Sequence, residues 1–420
     1  MNHTFLFLSL ILAACNTYSL GNTDELKHHI QREAFCNVPI SDVVCHPLAT
    51  NTASYEQVKA AYRTIPISWG SNAIDKAACP RIHQLLLHEI VRVIEENEHE
   101  AFVEIPHFKT INHENALESI KGWVLKENLR DVDTTTIRHL PKPSAENNYT
   151  HFLALASPFM DRDEVFYSAG TRFSLLHESI EKHAESNNEE SINYHVWAYD
   201  AYLKKFKIIE LPENICSYKC QTLPLKERKE LFCHLVTLWA TLHPLSIPLV
   251  WGGASIAKAW ENKDYQSASI TDDAGQTRCV WERPKYGNAT YQGIDASNLV
   301  ARAAHIVGID YEYRNTATAA AKLDELYMYE WPENGDLIWV PGGMLIITNV
   351  QTNRAVTALS YGAGYGIVTE LLLSEIFKDI STYEDFMNAY RAHQPLTILN
   401  KDGSIARTIN EYKVLRFARG

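Results

Sequence analysis

The sequence predicts an α+β protein in which two small all-β units precede a mixed C-terminal domain. Three observations predict it. Short apolar–polar alternations, the mark of half-buried strands, recur between about residues 60 and 215. From about residue 223 the apolar spacing changes to threes and fours, the mark of helices. Beyond residue 334 three short apolar runs follow one another closely, as an antiparallel set does.

At 420 residues the chain exceeds what one core accommodates and is expected to hold about two to four domains. Its 46% apolar and 21% charged residues are ordinary for a soluble globular protein. Lys+Arg 39 against Asp+Glu 51 leaves a net charge of −12, which argues against nucleic acid as a partner, because phosphate binding needs a basic surface. Phe5 to Ala14 is an apolar run too short to span a bilayer, and it ends in Leu12-Ala13-Ala14-Cys15. That ending resembles a bacterial lipobox. Residues 1–15 are therefore expected to be an export signal, with Cys15 lipidated; the alternative is a cleaved signal with Cys15 discarded. Asn16 is not the Asp that marks inner-membrane retention in many such lipoproteins. The expected location is periplasmic, at the outer membrane, with membrane contact through the lipid anchor only.

Of the eight cysteines, Cys36/Cys45 and Cys216/Cys220 are close enough in sequence to pair in an oxidising compartment. Cys216 and Cys220 lack the second nearby pair of a structural zinc site. No metal and no cofactor is expected.

Residues 16–59 read as an N-terminal segment that packs on later domains. A first barrel is expected over 60–145, with strands at Ile65–Gly70, Glu89–Glu95, Ala101–Ile105 and Gly122–Val124. The Thr-, Pro- and Asn-rich stretch 134–148 reads as a linker. A second barrel is expected over 146–222, with strands at Glu164–Tyr167, Gly170–Phe173, Tyr194–Trp197 and Lys205–Ile209. The C-terminal domain, 223–420, opens with a helix over 226–242 whose apolar positions are Leu231, Leu235, Leu238 and Leu242. Helices are expected at 295–307 and 316–328, and strands at 336–340, 344–350 and 355–359.

Two segments carry the chemistry. Leu249-Val250-Trp251-Gly252-Gly253 precedes Gly293-Ile294-Asp295-Ala296-Ser297-Asn298-Leu299-Val300. Together they resemble the signature of the NlpC-type cell-wall peptidases, a papain-like family reading Tyr-x-Trp-Gly-Gly and then Gly-x-Asp-Cys-Ser-x-Leu-Val. The two β regions resemble bacterial Src-homology-3-like barrels. Two barrels before a papain-like domain resemble the group that cleaves between γ-D-glutamate and the diamino acid of peptidoglycan stem peptides.

The resemblance implies a Cys nucleophile at a helix N-terminus, where the helix dipole lowers the thiol pKa. It implies a His base on the second strand of the following sheet, a polar residue on the next strand that orients it, and a Tyr lining the site. In this chain those positions hold Ala296, Gly343, Thr357 and Leu249. The scaffold residues persist: Trp251, Gly252, Gly253, Asp295 and Ser297 are the implied binding positions, and Asn334-Gly335-Asp336-Leu337 and Tyr361-Gly362-Ala363-Gly364 also fit. An engineered trap would change the nucleophile alone. Four changes together imply a decayed site that has lost hydrolysis and binds stem peptides or a cell-wall protein. An active endopeptidase with a rearranged site, using Ser297 or Cys279, is one alternative, and a structural envelope tether is another. Ser297 also suits a first-turn cap, and His305 and His243 read as packed or helix-end residues. The segment 254–292 is an insertion relative to the family. With Trp260, Tyr265, Trp281, Tyr286 and Tyr291 it reads either as a lid or as a variable loop.

Overall fold

The computed structural model describes residues 32–49, 53–63, 65, 79–141, 152–182, 190–218, 220–241, 247–256, 267–271, 277–281 and 292–417. The expected export signal with Cys15, the strand expected after Ile65, His243, and Trp260, Tyr265, Tyr286 and Tyr291 of the insertion lie outside them, as do the side chains of Cys279 and Trp281. The chain is mixed α/β, mostly sheet with few helices.

The first unit is one antiparallel sheet of seven strands in the order β3-β2-β6-β5-β4-β1-β7. They are β1 (Arg32–Cys36), β2 (Ile40–Val44), β3 (Arg81–Leu86), β4 (Ile90–Glu96), β5 (Glu100–Ile111), β6 (Leu117–Leu125) and β7 (Leu129–Asp131). The described part of segment 16–59, expected to pack on later domains, supplies two strands of this sheet and the start of helix α1 (Tyr55–Arg63). β1 sits between β4 and β7, with Ala34 opposite both Val91 and Asp131. Five-residue strands are too short to show a period, and their partners lie far along the chain. Nothing local announces them.

The second unit is a five-stranded antiparallel sheet in the order β13-β12-β11-β8-β14. Its strands are β8 (Phe152–Leu155), β11 (Arg172–Lys182), β12 (Glu190–Asp200), β13 (Lys205–Pro212) and β14 (Cys216–Tyr218), beside a small β9 (Phe159–Met160) and β10 (Phe166–Tyr167) ladder. Its core of Leu153, Tyr167, Phe173, Val196 and Leu211 also takes in Phe35, Leu87 and Leu140 from the first unit. The described part of the expected linker is thus packed: Leu140 is buried and the His139 ring lies on Trp197, with centroids 4.4 Å apart.

Helix α2 (Leu225–Ala240) opens the C-terminal part. It buries Phe232, Cys233, Leu235, Val236 and Trp239, leaving the expected Leu231 and Leu238 over a third exposed. Both stripes obey the helical period. The broader aromatic one faces the sheet because burying Phe and Trp gains more, about 2–3 kcal/mol per large side chain. β15 (Ala254–Ser255) pairs β18 (Gly293–Ile294), and β16 (Ser267–Thr271) pairs β17 (Thr277–Trp281). α3 (Ala296–Ile306) and α4 (Thr316–Lys322) follow. α4 is shorter than expected because β19 (Asp324–Glu325) pairs with β26 (Lys413–Arg416) instead of continuing the helix.

The C-terminal sheet runs β19-β26-β20-β21-β22-β23, with β20 (Leu337–Val340), β21 (Gly343–Asn349), β22 (Arg354–Ala358) and β23 (Val368–Leu372). One face, with Leu337, Met344, Ile346, Val356 and Ala358, packs in a single core with α2, α3 and the first unit. The other face, with Ile338, Leu345, Ile347 and Ala355, packs against α5 (Leu373–Ile376) and α6 (Tyr383–Arg391). A β24 (Leu396–Leu399) and β25 (Ile405–Ile409) hairpin lies between α6 and β26.

The expected disulfides are absent. Cys36, Cys45, Cys216 and Cys220 are all thiols, and Cys36 donates to the Val38 carbonyl at 3.3 Å. Burial pushes the Cys36 and Cys216 thiols up to about 12, which makes them inert packing groups.

Candidate functional site

The site is built where β15 and β18 meet the start of α3. Here three stretches of backbone pass too close for any side chain. A Cβ on Gly253 would sit 2.4 Å from the Gly293 carbonyl oxygen, and one on Gly252, at φ +69°, 2.5 Å from the Arg81 carbonyl oxygen. The two glycines of the Trp-Gly-Gly segment are therefore set by the fold. The Gly253 carbonyl accepts from Asp295 N at 3.0 Å and from Asn298 Nδ2 at 2.8 Å, which locks the loop to the helix.

Asp295 is the N-cap of α3. Its Oδ1 accepts from Asn298 N and from the Ser297 hydroxyl, each at 2.8 Å, and its Oδ2 accepts from Arg314 Nη2 at 3.2 Å. The Ser297 oxygen also accepts from Arg314 Nη1 at 3.0 Å, and the residue is 5% exposed. This hydroxyl donates to a capping carboxylate that Arg314 also holds, and it is 5% exposed, so it serves the cap and is not presented to a substrate. This geometry does not suit a serine nucleophile. Ala296 occupies the first helical position, half-buried against the apolar core.

The strand register decides what faces Ala296. Met344, Ile346, Val356 and Ala358 share the core of α3, whereas Leu345 and Ile347 belong to the opposite face. Gly343 pairs with Val340, and a Cβ built on it would lie 3.0 Å from Val340 Cγ2, in that opposite core. Thr357 is paired with Leu345, and its hydroxyl donates to the Met344 carbonyl at 2.9 Å. Because side chains alternate along a strand, positions 343 and 357 point away from α3. The expected base and orienting positions are thus displaced by one residue: Met344 and Ala358 are the ones on the helix side. Sequence matching could not fix this, since a one-residue slip swaps the two faces. Neither Met344 nor Ala358 is a proton acceptor.

Leu249 is buried beside Ile294 and donates its N–H to the Gly366 carbonyl at 2.8 Å, whereas Trp251 is 44% exposed. His305 lies on α3 away from its N-terminus, with a nitrogen 2.6 Å from the Tyr311 carbonyl oxygen, and burial holds its pKa well below the usual value. It is a packing residue. His393 is an exposed residue after α6.

The back wall comes from the first unit, which sequence matching missed. Arg81 donates to Asp42 Oδ1 at 2.6 Å and, through Nη1, to the Trp251 carbonyl at 3.3 Å. Gln84 Oε1 accepts from Ala254 N at 3.0 Å and from Ser255 Oγ at 2.8 Å. Arg302 on α3 donates to the Ala254 carbonyl at 2.8 Å, to the Gln84 carbonyl at 2.9 Å and to Glu89 Oε2 at 3.2 Å. The readable signal was Arg81, His83 and Gln84 within one otherwise apolar strand, all three buried. Among the described residues, no three His, Cys, Asp or Glu side chains converge as a metal site.

No protein-family model matches the chain, and no curated protein does. Solved structures do. An NlpC/P60 family protein from Bacillus cereus ATCC 10987 is 14% identical, with 84% of this chain and 96% of that one covered and a TM-score of 0.48. NlpC2 and NlpC1 from Trichomonas vaginalis are 11% and 12% identical, each with a TM-score of 0.27. They cover 83% and 85% of this chain, and 94% and 95% of their own. The structural neighbours of this chain are thus NlpC/P60 family proteins of low sequence identity.

Proposed function

We propose that this chain is a non-hydrolytic relative of the NlpC-type endopeptidases that binds peptidoglycan stem peptides. On this reading its two β units are Src-homology-3-like barrels and its C-terminal part is a papain-like domain. The observation that carries the proposal is Ala296 at the first turn of α3, faced by the core side of β21 and β22 with Met344 and Ala358. A methyl group cannot attack a carbonyl, and neither neighbour can act as a base. What remains of the family's machinery is the shape of the wall and the helix N-terminus, which suit retention of a ligand better than its cleavage. The occupied Ser297 hydroxyl weighs against the serine-peptidase alternative. The same proposal places the mature chain at the outer membrane, exported and anchored through Cys15.

The test is digestion of purified muropeptides read by mass spectrometry, with the native protein beside an Ala296→Cys/Met344→His variant. Retention of muropeptides without any released fragment is the expected result. Release of a γ-D-glutamyl fragment by the native protein overturns the proposal, and absence of both release and retention assigns the chain to an envelope tether.

A further inference from the structure

The loop between β19 and β20 holds Tyr327, Met328, Tyr329 and Trp331, which are 61%, 47%, 79% and 51% exposed. Elsewhere among the described residues exposed aromatic rings stand singly, as Tyr202 and Trp251 do. A group of this kind on a surface marks a binding site more often than a scattered apolar residue does. The loop is firmly built. Tyr327 N–H donates to Glu330 Oε2, and Glu330 N–H donates to the Tyr327 carbonyl, both at 3.0 Å. Arg391 Nε, at the end of α6, donates to the Met328 carbonyl at 2.5 Å, and its guanidinium stands 4.7 Å from the Trp331 ring. Arg416 Nη2 donates to the Trp331 carbonyl at 3.0 Å. The rings of Tyr327 and Tyr329 lie 3° from parallel, with centroids 5.6 Å apart. The fold thus uses the backbone and the carboxylate of this loop and leaves ring faces to solvent.

We propose that this loop binds a chain of neutral pyranose units, stacked on the Tyr327–Tyr329 pair and on Trp331. Charge narrows the choice of ligand first. No Lys or Arg stands between Lys322 and Arg354, whereas Asp324, Glu325, Glu330 and Glu333 do. The two guanidiniums that reach the loop, Arg391 and Arg416, are engaged with its carbonyls. Phosphates and acidic lipid surfaces are recognised by free cations, so this surface disfavours both. Size narrows it further. Four side chains fall far short of the roughly 20–30 residues a side that a stable protein interface uses. A pyranose ring fits what is left. Its faces are C–H groups, which pack on aromatic faces, and its rim is hydroxyls, which need acceptors. Asp324 and Glu333, both exposed, flank the rings along the chain and are the acceptors available to them. Because the loop is already held by its own hydrogen bonds, little ordering entropy is lost on binding. The loop lies at the β19 edge of the sheet, and the proposal does not rest on the groove at Ala296.

The experiment is calorimetric titration of chitotetraose into the full-length chain, comparing native protein with Tyr329→Ala, Trp331→Ala and Trp331→Phe. The native protein is expected to bind the tetramer, and each alanine variant to bind it about tenfold more weakly. Trp331→Phe, which keeps a ring face, is expected to retain most of the affinity. Raising the salt concentration is expected to leave the native affinity unchanged, since no ion pair forms with a neutral sugar. Thermal unfolding of Tyr329→Ala is expected to match the native protein, because the ring is exposed, so that lost binding is not lost fold. A sugar-free stem peptide is expected to behave identically toward the native protein and Tyr329→Ala, which keeps this test separate from that of the groove. Absence of heat with millimolar tetramer, or equal affinity in the native protein and both alanine variants, overturns the proposal. Co-sedimentation with phosphatidylglycerol vesicles in place of tetramer binding, lost in Tyr329→Ala, overturns it in favour of a membrane contact.

Discussion

Arg302, on the helix that begins at Ala296, forms an ion pair with Glu89, which lies between β3 and β4 of the first sheet. The guanidinium is 2% exposed and also donates to the Ala254 and Gln84 carbonyls, and it stands 5.5 Å from the Phe108 ring. A charge buried this deeply is stable only with its donors all used. Arg302→Ala takes the guanidinium donors from the Ala254 and Gln84 carbonyls and leaves Glu89, which still accepts from Leu86 N, without its counter-charge. It is expected to lower stability by about 3–5 kcal/mol, measured by urea unfolding. An Arg302→Met/Glu89→Gln pair, which removes both charges and keeps the volume, is expected to lose less than Arg302→Ala.

Gly252 and Gly342 both have positive φ, +69° and +77°, but only Gly252 is crowded. Gly342→Ala meets nothing within 4 Å and is expected to cost roughly 1 kcal/mol from backbone strain alone. Gly252→Ala adds a collision with the Arg81 carbonyl and is expected to cost about 2 kcal/mol or more. Melting temperatures of the two variants, measured side by side, separate strain from crowding.

His88 is buried among Phe35, Phe173 and Phe206. Its Nδ1–H donates to the Arg172 carbonyl at 3.1 Å, and its Nε2 accepts from Tyr199 N at 3.1 Å. Both nitrogens are used in the neutral form, and a proton on Nε2 would displace the Tyr199 amide. Burial lowers its pKa from 6.5 to about 4. The unfolded chain therefore takes up a proton at a pH where the fold does not. The stability this residue confers is complete above pH 6.5 and declines as pH falls toward 4, by roughly 3 kcal/mol across the window. His83 and His305, whose pKa values burial also lowers, act in the same direction. Urea midpoints at pH 7 and pH 5 test this, and a His88→Gln variant is expected to decline less steeply.

Cys36 and Cys233 are buried thiols pushed up to about 12. Neither is expected to react with iodoacetamide at pH 8 in the folded protein. Both are expected to react fully after denaturation without reductant, as peptide mass spectrometry would show. A Cys36 that needs reduction first would contradict the thiol state.

Asp295 was legible as a cap because it acts within three residues, accepting from Asn298 N. What requires Gly252 and Gly253 was not, since the Arg81 and Gly293 carbonyls that crowd them come from distant parts of the chain. The displacement from Gly343 to Met344 was not legible, since which side of β21 faces α3 depends on pairing with β20 and β22. Nor were β1 and β2, whose partners lie far along the chain. Leu231 and Leu238 show the same limit within a helix: periodicity finds a helix, but the neighbour chooses the face.

The wall shared by Arg81, Gln84 and Arg302 bears on how this protein can be taken apart. The first sheet's β3 fills hydrogen-bonding positions that the C-terminal part cannot fill for itself, and one apolar core runs through both. A chimera cut near residue 223 would leave the Ala254 amide and the Arg302 guanidinium facing solvent and would open that core. The C-terminal part is not a portable module, because its folded surface is completed by the first sheet.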